Sequence, residues 1–466
     1  MIRFLLILLF FFVNIKSTYV RCQPIPNEFS LKKIREILYD NGENWSSLSC
    51  FGSVRYQDIR FAYLTKKNAE KLYIRLKSGI QIKNENILLY GFGHLKFNKY
   101  FYAYIYPKVV KNNKIFDGHY GQSFSFKKKS FYSREIDLSG IGFQNDWFWM
   151  QLCRGRENWG AGNGIQLAMS DESNSYDYLL FGSDYGKLRV NYMHGYIETV
   201  GNNINRYITA KGIEWKNNKT LLIGLSETII YSGENRSLDI GYLNPMSTHI
   251  EIELNNRLNV IGTYNSNAVW QAHLDLMIKD KIRLSANLLF DELVLDPEIE
   301  IGKEHGKAYS IRIVYGLINS QEHIFSLYSS VVKIGTPTFR HLNGFNNFVN
   351  RQKPLGWIGG SDGIEWQLGA NYFNRENILS TLRVCHFKTG DDNLLLRPYE
   401  PYYDYKEGPF PSGTILESML IDLKTEWWWK SNISFSFNIN YEFLHDNQRE
   451  LQLGISVTAF LERQLN

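Results

Sequence analysis

Between Ile433 and Leu461 the chain alternates apolar and polar positions with a period of two. Ile433, Phe435, Phe437, Ile439, Tyr441 and Phe443 fall on one side, and Ser434, Ser436, Asn438, Asn440 and Glu442 on the other. After the break Asp446-Asn447-Gln448-Arg449, the pattern resumes with Leu451, Leu453, Ile455, Val457, Ala459 and Leu461 against Gln452, Gly454, Ser456 and Thr458. This predicts a β-hairpin, and about 10 residues per strand suffice to cross a bilayer at a tilt. A soluble sandwich alternates in the same way, so the hairpin alone leaves both architectures open.

Similar patterns recur after residue 70. Leu274, Leu276 and Ile278 alternate with His273, Asp275 and Met277, turn at Lys279-Asp280-Lys281, and return as Ile282, Leu284, Ala286 and Leu288. Tight turns are also expected at Asn217-Asn218, Asn374-Arg375-Glu376-Asn377 and Lys430-Ser431-Asn432. Between them run long irregular segments: 232–265, 296–307, 335–363 and 388–412. Short turns alternating with long loops mark the two sides of an outer-membrane barrel. At roughly 20 to 25 residues per strand and connection, about 400 residues give on the order of 16 to 20 strands. The run Trp427-Trp428-Trp429 before a short turn reads as a periplasmic aromatic girdle or as sheet core.

The N-terminus differs in texture. Met1-Ile2-Arg3, the ten-residue apolar stretch Phe4–Val13 and the polar residues after it have the layout of a secretory signal, with cleavage after Ser17 or Cys22. Beyond residue 22 no apolar run approaches the roughly 20 residues of a membrane helix, so a spanning fate requires a closed β-barrel. Leu31, Ile34 and Leu38 recur at helical spacing within 28–39 and predict a short amphipathic helix, either a plug in the lumen or a periplasmic tail. The expected organisation is a signal peptide over 1–22, a helical segment over 23–52 and one antiparallel transmembrane β-barrel of about 18 strands over 53–466.

Composition agrees. Aromatics reach 15% with 30 Tyr, 29 Phe and 11 Trp, Pro numbers only 11, and the mean hydropathy of −0.31 would pass for a soluble protein. Barrels hide hydrophobicity this way because half of each strand faces a polar lumen. The formal charge of +5 falls by two when Arg3 and Lys16 leave with a signal cut after Ser17, too mild to imply a nucleic-acid partner. The four cysteines, Cys22, Cys50, Cys153 and Cys385, show no metal-ligand spacing, so lone buried thiols are expected, with a Cys22–Cys50 disulfide open if cleavage precedes Cys22.

Six weak motifs in order carry a resemblance. Arg154-Gly155-Arg156 with Trp159-Gly160-Ala161-Gly162-Asn163-Gly164 comes first, then Arg206-Tyr207-Ile208-Thr209-Ala210, then Gly224-Leu225-Ser226-Glu227 running to Tyr231-Ser232-Gly233. Pro245, Asp291 to Asp296, and Pro354-Leu355-Gly356 running to Ser361-Asp362 follow. Over about residues 70–461 the chain resembles the capsule-assembly Wzi family. That resemblance implies an outer-membrane barrel of about eighteen strands that holds capsular or exopolysaccharide at the bacterial surface, lectin-like and without catalysis. Two departures stand out: Lys211-Gly212 where the family often has a His, and a chain end, Arg463-Gln464-Leu465-Asn466, without the usual terminal aromatic. Phe460 in the last strand is the candidate to serve that aromatic's purpose.

Binding a glycan calls for aromatic platforms, amide and carboxylate hydrogen-bonding groups, and Arg forks. Residues 146–159 contain all of these, and Trp147, Trp149, Arg154, Arg156 and Trp159 are candidate contacts, as are Arg206 and Glu227 from the later motifs. Structural loop anchoring, with the arginines paired to lumen carboxylates, is the competing reading. Both faces of 147–153 are apolar, which suggests a strand covered on both sides, its lumen face by a plug or infolded loop. Tyr402 and Tyr403 in the 388–412 loop form a second candidate surface, or an ordinary tyrosine-rich loop. Glu400, Asp404 and Glu407 there favour a neutral or cation-bridged glycan.

Catalysis would need paired carboxylates, and Glu227, Asp291, Glu292 and Asp296 are the candidates. Pairing of Glu227 with lumen arginines is the favoured alternative, and His194 and His249 read as isolated surface or lumen residues. No cofactor or metal is expected. The expected partners are surface polysaccharide, outer-membrane lipid and the barrel-assembly machinery of a Gram-negative cell, reached through the periplasm. Two other functions stay open: a porin-like diffusion channel and a glycan-modifying barrel enzyme.

Overall fold

The computed structural model describes residues 28–42 and 72–465, apart from 84–85, 99, 111–123, 126–131, 134–137, 146, 218, 255–265, 292–301, 404, 431 and 444–448. The signal segment, Cys22, Cys50, Glu292, Asp296, Asp404 and the 446–448 turn lie outside the described residues.

Eighteen antiparallel strands close into a barrel. In chain order they are β1 Leu72–Lys83, β2 Asn86–Phe97, β3 Phe101–Ile105 with its continuation Lys108–Val110, β4 Ser139–Gln144, β5 Phe148–Gly155 and β6 Tyr176–Asp184. There follow β7 Leu188–Val200, β8 Ile204–Lys216, β9 Leu221–Glu234, β10 Ser266–Ile278, β11 Ile282–Phe290 and β12 Lys307–Asn319. The last six are β13 Ile324–Ile334, β14 Gly363–Phe373, β15 Ile378–Thr389, β16 Leu416–Lys430, β17 Ile433–Phe443 and β18 Arg449–Leu465. Each strand pairs with its neighbours in sequence, and β1 closes the ring on β18 from Ile74 opposite Leu465 to Lys83 opposite Ser456. Full closure removes the unpaired edges that lipid cannot solvate.

The hairpin β17–β18 pairs Phe437 with Ile455 and Ser436 with Ser456. Phe437, Leu451, Leu453 and Ile455 are exposed on the outer wall, while Ser434, Ser436, Ser456 and Thr458 are buried in the lumen. The same division runs round the ring, giving an outward belt of Ile141, Leu152, Leu225, Trp366 and Leu368. The long connections all lie at one end and every connection at the other end is short, which assigns the uniformly short-turn end to the periplasm. Asn chemistry fixes two of the short turns. Asn217 Oδ1 accepts from the backbone N–H groups of Lys219, Thr220 and Leu221, and Asn374 Oδ1 from those of Glu376, Asn377 and Ile378.

The lumen is filled from both ends. Helix α1, Glu28–Asp40, enters at the periplasmic end and packs Ile34, Ile37 and Leu38 against Ile324, Phe373, Leu379 and Trp428. Each such aliphatic burial is worth about 1.5–3 kcal/mol as an upper figure. Polar bonds fix its C-terminus: Tyr39 donates to Asp275, Asp40 pairs with Arg312 at 3.0 Å, and Arg283 donates to the Tyr39 carbonyl while pairing with Asp275. Trp428 therefore belongs to the plug contact, whereas Trp429 is exposed at the rim and Trp427 stacks on Phe435. From above, the β5–β6 and β13–β14 connections dip inward and form an apolar core with the strands: Trp159, Leu167, Met169, Phe348, Leu355 and Trp357 meet Ile208, Ile230, Val269 and Val332. Cys153 and Cys385 are free and buried, as lone thiols were expected to be.

Candidate functional site

Two glycines let the inward loops pack. Gly160 has φ +116°, and a β-carbon there would meet Gln271 and Asn287 of the wall at 2.6 and 2.7 Å. At Gly356 a β-carbon would lie 1.7 Å from the Leu167 carbonyl oxygen, so the two loops cross at a point only glycine allows. Around that crossing Ser170 N–H donates to the Leu355 carbonyl at 2.8 Å and Asn174 exchanges bonds with Asn350 at 2.8 and 2.9 Å. Below it, Asn163 Nδ2 reaches Asp40 of α1 at 2.8 Å, joining the upper plug to the lower one.

Arg206, fully buried on the lumen face of β8, holds the β13–β14 loop in place. Its guanidinium donates to the carbonyls of Phe345 at 2.5 Å, Asn347 at 2.6 Å and Val349 at 2.9 Å, and pairs with Glu198. Tyr399 of the β15–β16 loop lies over it, ring centroid 5.3 Å away, with its hydroxyl donating to Glu198 at 2.9 Å and accepting from Gln352 N–H at 3.0 Å. Burial, with the Glu198 charge beside it, pushes the Tyr399 hydroxyl up to about 12. Asp362 completes the cap. Its carboxylate accepts from Thr336 and from the Ser412 hydroxyl and backbone N–H, tying the two large loops together.

This cap exposes Tyr403, at 72%, and, on the same loop, Leu395, Leu396, Arg397 and Glu400, with Arg397 3.2 Å from Asp392 and 3.9 Å from Glu400. Tyr402 is buried beneath, edge-on to Tyr405 at 5.1 Å and 5.0 Å from Arg340.

The nine candidate residues thus occupy five places, the fifth being the outer wall. Tyr402 and Tyr403 belong to the extracellular cap. Trp149, Trp159 and Arg206 are interior: Trp149 covers Gly182, Trp159 sits in the upper plug, and a glycan would have to displace the β13–β14 loop to reach Arg206. Arg156 is half-buried beside Tyr176 at the entry to the inward loop. Trp147 stands at the opposite, short-turn end, exposed and stacked on Tyr185 at 6.1 Å.

Arg154 and Glu227 correct the expected lumen pairings. Both point outward: Arg154 pairs with Asp177 across β5–β6 at 2.6 Å, and Glu227 with Lys211 across β8–β9 at 2.8 Å. The reading of 147–153 as covered on both faces is corrected too. Trp149, Gln151 and Cys153 pack in the lumen, but Met150 and Leu152 are exposed on the lipid side. His194 and His249 are neither surface nor lumen residues. Both are buried on the outer wall, His194 bonded to the hydroxyls of Tyr192 at 3.1 Å and Tyr231 at 2.8 Å. Glu198, Asn347 and Arg340 were missed. The Asn-rich run Asn343, Asn346, Asn347 and Asn350 was the available signal, since such amides satisfy buried loop backbone.

No family model and no curated relative matches this chain. Solved structures do. Wzi of Escherichia coli, an outer-membrane protein involved in group 1 capsule assembly and a carbohydrate-binding β-barrel, is similar with a TM-score of 0.63 at 11% identity, over 94% of this chain and 99% of its own. OpdK of Pseudomonas aeruginosa, solved with vanillate, gives a TM-score of 0.44 at 10% identity over 84% of this chain and 98% of its own. OccD1 gives 0.44 at 9% identity over 85% and 96%. The chain has the outer-membrane barrel fold that Wzi has, in agreement with the resemblance read from its motifs.

Proposed function

We propose that this chain is a non-catalytic outer-membrane anchor that binds capsular or exopolysaccharide at the extracellular cap and retains it on the cell surface. The observation that carries the reading is the lumen packed from both ends, with Trp159 and Arg206 buried in it and the loop cap left as the outward-facing surface. Tyr403 offers a ring face to the C–H face of a sugar, and Arg397, Glu400 and Gln352, exposed on the two cap loops, offer hydrogen-bonding groups. The mixed charge of that surface suits a neutral or cation-bridged glycan. The capsule-assembly role of Wzi, a barrel of the same fold, supports the same reading.

A diffusion channel needs an open path, and the interlocked α1 and inward loops argue against one. A glycosidase needs two carboxylates across one sugar. Here Glu227 lies on the outer wall under Lys211, while Asp291 accepts the Phe339 N–H at the base of the cap.

The test is deletion of the gene in its own host, followed by measurement of cell-bound and shed polysaccharide. Shedding at unchanged total synthesis, rescued by the parent gene and less well by Tyr403→Ala, is expected. Unchanged retention in the deletion strain would sink the proposal.

A further inference from the structure

Unlike the β5–β6 and β13–β14 connections, the described part of the β9–β10 loop, residues 235–254, turns outward and folds back down the outside of the barrel. Its two short helices, α2 Ile240–Leu243 and α3 His249–Leu254, lie against side chains of β7–β10 that face away from the lumen. Tyr242 stacks on Tyr231 at 4.7 Å, accepts from the Tyr192 hydroxyl at its carbonyl, and donates from its own hydroxyl to Ser266 at 2.8 Å. Farther along, the Ser247 carbonyl accepts from Lys211, and the His249 N–H donates to Glu227 at 3.0 Å. Tyr207, Ile229, Tyr231 and Ala268, which would otherwise line the outer surface, are buried beneath this strap.

Cross-strand register gives the height at which the strap ends. Lys211, Glu227, Trp270, Phe290 and Lys307 are successive partners across β8–β12 and form one outward row of charged and aromatic residues. Two residues toward the periplasm, the next row is Ile213, Leu225, Ala272, Leu288 and Tyr309. The following row is Trp215, Ile223, Leu274, Ala286 and Ile311. A mixed row directly above two apolar ones is the pattern of the outer membrane–water interface. Ser247 and His249 contact Lys211 and Glu227 and therefore sit at that interface.

The strap is itself two-faced. Asp239, Tyr242, Ser247, His249 and Ile252 are buried toward the wall, while Leu238, Ile240, Leu243, Met246 and Ile250 project away from it, Met246 at 86% and Ile240 at 74% exposure. Five apolar side chains on one face of a loop are costly in water. Their face continues the lipid-facing surface of Ile213 and Leu225 below. We infer that the β9–β10 strap is an interfacial element whose occupant is the lipid of the outer leaflet: its apolar side chains enter the acyl-chain boundary and widen the barrel's hydrophobic footprint on this side. It does not depend on what the cap binds.

Site-directed spin labelling tests this on the full chain in proteoliposomes of phosphatidylethanolamine and phosphatidylglycerol. Met246→Cys and Ile240→Cys carry the label, Tyr403→Cys on the cap is the aqueous reference, and the parent chain treated with the same label is the blank. The ratio of oxygen to nickel-complex accessibility is expected to be severalfold higher at both strap sites than at the cap. A ratio equal to that of the cap would overturn the proposal, and so would spin–spin broadening between copies at position 246, which would make the occupant a second protein. The strap side chains point away from the wall, and Ile250→Cys supplies a third site if either variant fails to fold.

Discussion

Lys211 and Glu227 stand 2.8 Å apart on the outer wall of the barrel, where a lone charge would face lipid, and the β9–β10 strap closes over them. Glu227 also accepts from the Trp270 indole N–H at 3.0 Å. The pair tolerates its position because each oxygen and the ammonium find partners within the strap or the wall.

Removing Lys211 leaves the Glu227 carboxylate without its counter-charge in a site that lipid borders. Lys211→Met should cost the strap about 3 kcal/mol. Limited proteolysis across 235–265 in the folded, membrane-inserted protein should then cut faster, while a Lys211→Met/Glu227→Leu pair should recover part of the loss. Equal protection in the single variant would show that the ion pair does not hold the strap.

Acid should loosen the same element. Burial, with His341 and Lys211 adding, pulls the His249 imidazole from its usual 6.5 down to about 4. A depressed histidine binds its proton more readily in the opened state, so the stability it contributes is present above about pH 6.5 and is lost as pH falls toward 4. The full loss is about 3 kcal/mol. Hydrogen exchange of the strap between pH 7 and 4 measures it, and His249→Gln should flatten the profile. A profile unchanged by that substitution would locate the titration elsewhere.

At the cap, Arg206 is the residue whose loss should open the lumen. Arg206→Ala frees the β13–β14 loop and strands Glu198, at about 3–5 kcal/mol. Planar-bilayer recordings should show conductance steps that the parent lacks. Arg206→Lys should behave much like the alanine variant, because an ammonium cannot span the three carbonyls that the guanidinium fork reaches. A silent Arg206→Ala would mean that the plug stands without it.

The closing hairpin tests the membrane reading itself. Phe437→Arg places a charge on the lipid face and should cost roughly 2 to 4 kcal/mol near the bilayer midplane, while Asn438→Arg points into the lumen and should be tolerated. Urea titration in vesicles compares them. Equal stability of the two variants would argue against a spanning strand.

Local chemistry written along the chain was enough for the barrel. Period-two runs, Asn-rich turns and the sorting of short from long connections depend on neighbours in sequence, and they yielded antiparallel closure and on the order of 16 to 20 strands; helical spacing marked the helix within 28–39, and the family resemblance narrowed the strand count to about eighteen. Which side of the wall a charged residue occupies was a different matter. Arg154 and Glu227 alternate as regularly as any strand residue, and alternation separates two faces without labelling either as the lumen. The label comes from what covers each face, and the covers are remote in sequence: Asn347 and Tyr399 over Arg206, Ser247 and His249 over Lys211 and Glu227. Only the folded barrel brings those segments together, so only the tertiary structure could decide that one long loop plugs the lumen and another straps the outer wall.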